Sequence, residues 1–123
     1  MRIHRTLICG ALLLTATAAL AAPAEQQLKQ LEQRAAKAAE STVVEFAKDG
    51  LTAAGANIAA ARAALAAGRE REAVQQAELA EARLNAAEAR TAEKEMIEKV
   101  AVRRSELKKA EALLERYRQG EVN

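Results

Sequence analysis

Residues 54–87 read AGANIAAARAALAAGREREAVQQAELAEARLNAA, and this stretch decides the fold. Apolar side chains recur on both sides of Ala67-Gly68-Arg69 at spacings of three and four: Ala54, Ile58, Ala61 and Leu65 ahead of it, Val74, Ala77, Ala80, Leu84 and Ala87 beyond it. That period lays an apolar stripe along one face of an α-helix. A glycine between two such stretches stops the first, because it enters the left-handed conformation of a helix C-terminus at no steric cost. The segment therefore predicts two helices joined by a turn near 67–69.

The pattern extends outward in both directions. Upstream lie Leu28, Leu31, Ala35, Ala38, Val43 and Phe46; downstream lie Met96, Val100, Leu107, Ala110, Leu114 and Tyr117. Val100, Leu107 and Leu114 are seven apart, as in a coiled-coil seam, with Arg103 interrupting the companion position. Between Ala87 and Met96 the phase slips: Thr91 and Lys94 stand where apolar residues are due, which predicts a shift of the buried face or a kink. No proline follows Pro23, and Ala, Glu, Arg, Lys, Gln and Leu dominate, the strongest helix formers. The expected fold class is all-α: a long antiparallel helical hairpin or coiled coil with arms near 24–67 and 69–119. The alternative is a three-helix bundle in which Asp49-Gly50 breaks the first arm and Thr52 caps the next helix. Thr42 with Glu45 also fits a capping box.

A hairpin centred on Gly68 would set Ile58 opposite Ala77 and Glu78, Ala39 opposite Ile97, and Leu28 near Leu107. Leu113, Leu114 and Tyr117 would then overhang the first arm. A seam of alanines buries little apolar area, so the fold is expected to self-associate or to dock on a larger protein. The residues expected to make that partner contact are Leu107, Leu113, Leu114 and Tyr117.

The N-terminus carries a different signal. Arg2, His4 and Arg5 precede an apolar run from Leu7 to Leu20, and Ala19-Leu20-Ala21 has the small-x-small form of a cleavage site. This predicts a secretory signal peptide over 1–22, a helical hairpin domain over 23–123, and a periplasmic or secreted location. The apolar run is shorter than the ~20 residues a membrane-spanning helix needs, so no stable span is expected in the mature chain. Cys9 lies ahead of most of the run rather than at the cut, where lipid attachment would require it.

Loss of the signal changes the chemistry available. Two of the 19 basic residues, Arg2 and Arg5, leave with it; 17 of each sign remain, for a formal net charge of zero. An electrically balanced chain almost without aromatics does not fit nucleic-acid binding. The only histidine, His4, and the only cysteine, Cys9, leave as well. A hydrolytic triad, a nucleophilic cysteine and a His-based metal site are thereby excluded, and no enzymatic activity and no cofactor are expected. Charge is segregated along the second arm: residues 70–98 hold eight glutamates, and residues 99–118 hold seven basic residues against three glutamates. This reads as a solvated helix surface with its basic residues toward the C-terminus.

The stretch from Ala53 to Leu107 resembles an uncharacterised bacterial envelope family of Ala/Glu/Arg-rich helical hairpins, some members of which sit beside OmpA-like domains. The resemblance is carried by Ala60-x-Arg62, the Ala67-Gly68-Arg69 turn and the ladder Ala73, Ala77, Ala80, Leu84 and Ala87. No lipid-attachment cysteine at the cut and no OmpA-like domain accompany them here. The segment is also similar to small periplasmic metal-binding bundles, but the positions histidine occupies in those hold Ala, Glu or Gln. The expected function is thus a non-enzymatic structural or adaptor module of the envelope acting through protein–protein contact. A small cation- or ligand-binding periplasmic bundle is the alternative.

Overall fold

The computed structural model describes residues 18–120, and the basic stretch, Cys9 and most of the apolar run of the expected signal lie outside the described residues. Three helices follow one another: α1 (Ala18–Ala39), α2 (Val43–Ala66) and α3 (Glu70–Arg118). The molecule is all-helical, with no strand among the described residues. α2 and the first half of α3 form an antiparallel hairpin, and α1 packs against both.

The α2–α3 turn is built as the glycine requires. Gly68 has φ of 72°, the Arg69 N–H donates to the Ala64 carbonyl at 2.8 Å, and the Gly68 N–H donates to that of Leu65 at 3.0 Å. These bonds satisfy carbonyls that the end of α2 would otherwise leave open. Glu70 and Glu72 occupy the first turn of α3 and Arg116 and Arg118 its last, each sign at the end where the helix dipole favours it.

The first arm is not continuous from 24 to 67, and its break is not at Asp49-Gly50. The chain reverses at Glu40-Ser41-Thr42. There the Ser41 hydroxyl donates to the Ala38 carbonyl at 2.9 Å and accepts from the Val43 N–H at 3.2 Å. A serine that bonds its own backbone offers an alternative to the helical ladder, and here it ends one helix and starts the next. The Thr42–Glu45 capping box is not made, for the Thr42 hydroxyl donates instead to Glu95 of α3 at 2.6 Å. Gly50 stays helical and serves close packing: a Cβ there would lie 3.4 Å from the Cβ of Ala87. The local irregularity in α2 is at Ala47 (φ −142°, ψ 35°), a buried residue packed with Ala38, Val43 and Ala87.

The reversal redirects the core. Leu28 does not approach Leu107, nor Ala39 Ile97; Leu28 and Leu31 of α1 pack with Ala54, Ile58 and Ala61 of α2 and Ala77, Ala80 and Leu84 of α3. Leu84 and Leu28 are the large side chains most fully enclosed, at 0% and 1% exposure. Four large aliphatic residues thus fill a seam otherwise lined by alanine, which lets the backbones approach closely. Ion pairs bracket this core. Arg62 of α2 reaches Glu32 at 2.8 Å and Glu25 at 2.5 Å on α1. Arg34 of α1 grips Glu88 of α3 at 2.6 and 2.9 Å and donates to Asn85 at 2.6 Å.

Candidate functional site

The buried face of α3 consists of Ala73, Ala77, Ala80, Leu84, Ala87 and Thr91, at spacings of four and three. Thr91 continues the face rather than interrupting it. It is 4% exposed, and its hydroxyl is satisfied by the Ala87 carbonyl at 2.9 Å. The next positions of the same face, Lys94, Glu98, Ala101 and Ser105, are exposed and mostly polar. The slip in the sequence pattern therefore falls after Thr91. It produces no kink, since α3 runs unbroken to Arg118.

Past this point α3 has no neighbour among the described residues. α1 and α2 meet at the 40–42 turn beside Glu95, and every residue from Met96 to Gly120 is exposed. The bare arm spans 25 residues, on the order of 35 Å at the usual helical rise. It carries Met96, Ile97, Val100, Val102, Leu107, Leu113, Leu114 and Tyr117, each between 41% and 60% exposed. All four expected contact residues lie on it: Leu107, Leu113, Leu114 and Tyr117 are 59%, 49%, 53% and 59% exposed. The overhang is longer than a continuous first arm would leave, because α1 turns back at residue 40 instead of running beside α3. Nor does α1 cover the tip. Its Glu25 bonds Arg62, near the opposite end of the hairpin.

The apolar residues of the arm fall into a seam. Met96, Val100, Arg103, Leu107, Ala110, Leu114 and Tyr117 alternate spacings of four and three over three heptads. This seam is displaced by two positions from the face of α3 that packs on α1 and α2. At about 100° per residue, and with the drift of roughly 20° per heptad, the seam centres about 130° round the helix from that face, pointing away from the bundle. One helix therefore presents two apolar stripes, the first covered within the chain and the second bare. A groove along the second is lined by Met96, Lys99, Val100, Arg103, Arg104 and Leu107. The heptad of Val100, Leu107 and Leu114 is legible in the sequence; Met96 and Ile97 join the exposed surface because the chain reverses at Ser41, which the apolar spacing does not signal.

The ion pairs of the bundle perturb the groups that form them. The hydrogen bonds from Arg34 hold the Glu88 carboxyl below its ordinary value, and Glu88 in turn raises the pKa of Arg34. Glu32 and Glu25 do the same for Arg62. Among the described residues no three His, Cys, Asp or Glu side chains gather as a metal site requires, and no helix is long and apolar enough to cross a membrane.

No protein-family model, curated protein or solved structure matches the chain.

Proposed function

We propose that this chain is a non-enzymatic structural or adaptor module of the bacterial envelope, in which a small three-helix bundle holds out a long helical arm for another helix to pack on. One observation carries the reading: residues 96–118 form a continuous helix with a three-heptad apolar seam that is exposed along its length, with no other element packed on it among the described residues. Exposed apolar surface of this extent marks an interaction site, and an a/d seam is complementary to another helix. The envelope location rests on the N-terminal signal pattern. Pro23 lies inside α1; cleavage at Ala22 or Pro23 would leave it at the start of that helix, where proline's missing N–H costs nothing. The contact residues are Leu107, Leu113, Leu114 and Tyr117, with Met96 and Val100 completing the seam.

Photo-cross-linking in cells tests this. A photoreactive residue at Leu107 should yield covalent adducts with a polypeptide. The same residue at Leu79, an exposed leucine of the bundle (48%), should not. No adducts at Leu107, or equal yields at both positions, would overturn the reading.

A further inference from the structure

The bare seam has a pattern that selects its occupant. Val100, Leu107 and Leu114 take one core position of the heptad, and Met96, Arg103, Ala110 and Tyr117 the other. Lys99, Glu106 and Leu113 then flank the seam on one side, and Ile97, Arg104, Glu111 and Arg118 on the other. In a parallel, in-register pair of copies, each layer would face itself. Arg103 would be pressed against Arg103, Lys99 would flank Arg104, and Glu106 would flank Glu111, all like-charged. In an antiparallel pair the two core positions face each other, and each flank meets its own kind.

One antiparallel register fits the core positions and the charged flank of Arg104 and Glu111. Setting Leu107 against Ala110 of a second copy also sets Val100 against Tyr117 and Leu114 against Arg103, each twice by symmetry. Large residues then oppose small or tapering ones, and the aliphatic stem of Arg103 lies along a leucine with its charge free to reach water. On the flank, Arg104 meets Glu111 of the second copy, again twice. Slipping by one heptad in either direction brings Arg104 onto Arg104 or Glu111 onto Glu111. In the favoured register Ile97 lies opposite Gly120, so the overlap uses the whole bare arm and stops short of Glu95, where the bundle begins. The seam also points away from α1 and α2, which leaves room for a second helix.

We infer that the arm pairs with the arm of a second copy of this chain, antiparallel and with Leu107 against Ala110, giving a symmetric dimer with a bundle at each end. This rests on the interaction-module reading above and narrows its partner to the chain itself. The occupant is chosen by charge complementarity, since the arm's own charges repel a parallel copy and attract an antiparallel one.

The experiment is sedimentation equilibrium on the full chain and on variants of it. The wild type should be a dimer, and Leu107→Glu/Leu114→Glu should reduce it to a monomer of unchanged bundle helicity. Because of the symmetry, Arg104→Glu alone and Glu111→Arg alone should each raise the dissociation constant about tenfold, and the two together should restore it. Within the helix, Arg104→Glu relieves a like charge on Lys108, four residues on. Glu111→Arg relieves Glu115, four residues on, but sets a like charge three residues from Lys108, so the intrahelical effects of that swap oppose each other. In a parallel pair the single swaps would instead tighten association, and that result overturns the inference. So does association that survives Leu107→Glu/Leu114→Glu. A monomer at all concentrations, together with cross-links from Leu107 to other proteins, would overturn self-pairing while leaving the adaptor reading intact; no cross-links at Leu107 would overturn both.

Discussion

Leu84 and Leu107 are the same side chain on the same helix with opposite fates. Leu84 is fully enclosed by the bundle, whereas Leu107 is 59% exposed. Deleting a buried leucine side chain removes its transfer energy and leaves a cavity that alanine neighbours cannot fill. Leu84→Ala should therefore lower the unfolding free energy by about 2–5 kcal/mol. Leu107→Ala should change it by less than ~0.5 kcal/mol at concentrations low enough to keep the chain monomeric. Urea denaturation followed by circular dichroism would check both, and equal losses would mean that Leu107 is buried within its own chain. Both leucines were legible as apolar positions of a helical stripe. Nothing in the residue or its spacing said which of them would be covered within the chain, since that depends on where other helices run.

Among the elements, α1 is the one held most by charge. Among its described side chains only Ala24, Leu28, Leu31 and Ala38 are buried, and Arg34 and the Arg62 contacts tie its polar edge to the hairpin. The Arg34–Glu88 pair links α1 to α3 with side chains 33% and 41% exposed, so its contribution is that of a surface pair, about 0.5 kcal/mol. Glu88 titrates lower in the folded chain than in the unfolded one, so its share of the stability is present above the unfolded value of 4.5 and disappears as pH falls through the folded value. The loss of stability between pH 7 and pH 3 should accordingly be smaller in Glu88→Gln than in the wild type, as read by thermal melts at both pH values. An identical loss would show that the pair does not couple α1 to α3. This docking was not legible in the sequence. Arg34 and Glu88 lie 54 positions apart, and the reversal that joins them rests on one serine hydroxyl competing with a helical ladder.

The whole molecule divides into a bundle and an arm, and stability should divide in the same place. Amides of the bundle lie in helices packed on one another, whereas those of residues 96–118 depend on a single unsupported helix. An isolated helix of this length is marginal in water, since its stability in proteins comes mainly from packing of an apolar face. In hydrogen exchange at low concentration, amides of Ala54–Ala64 and Ala77–Ala87 should be protected and those of 96–118 should exchange within the dead time or close to it. Raising the concentration should extend protection into the arm, from Val100 to Leu114, as a second copy packs on it. Protection of the arm equal to that of the bundle in the monomer would mean that the arm is covered by its own chain.

By itself, the sequence determined that the chain is helical, that it turns at Gly68, and that Ile58 faces Ala77 across that turn. These follow from local rules: composition, a period of three and four, and one residue free to take positive φ. It also determined that the apolar period changes phase beyond Ala87. Only the tertiary structure decided what the change means. Once Ser41 turns α1 back, two helices of about equal length cover the first half of α3 and leave the second half bare. The phase shift then turns the remaining apolar seam away from α1 and α2, which end before it. Burial depends on which elements meet, and in this chain a three-residue reversal more than fifty positions earlier in the sequence sets that.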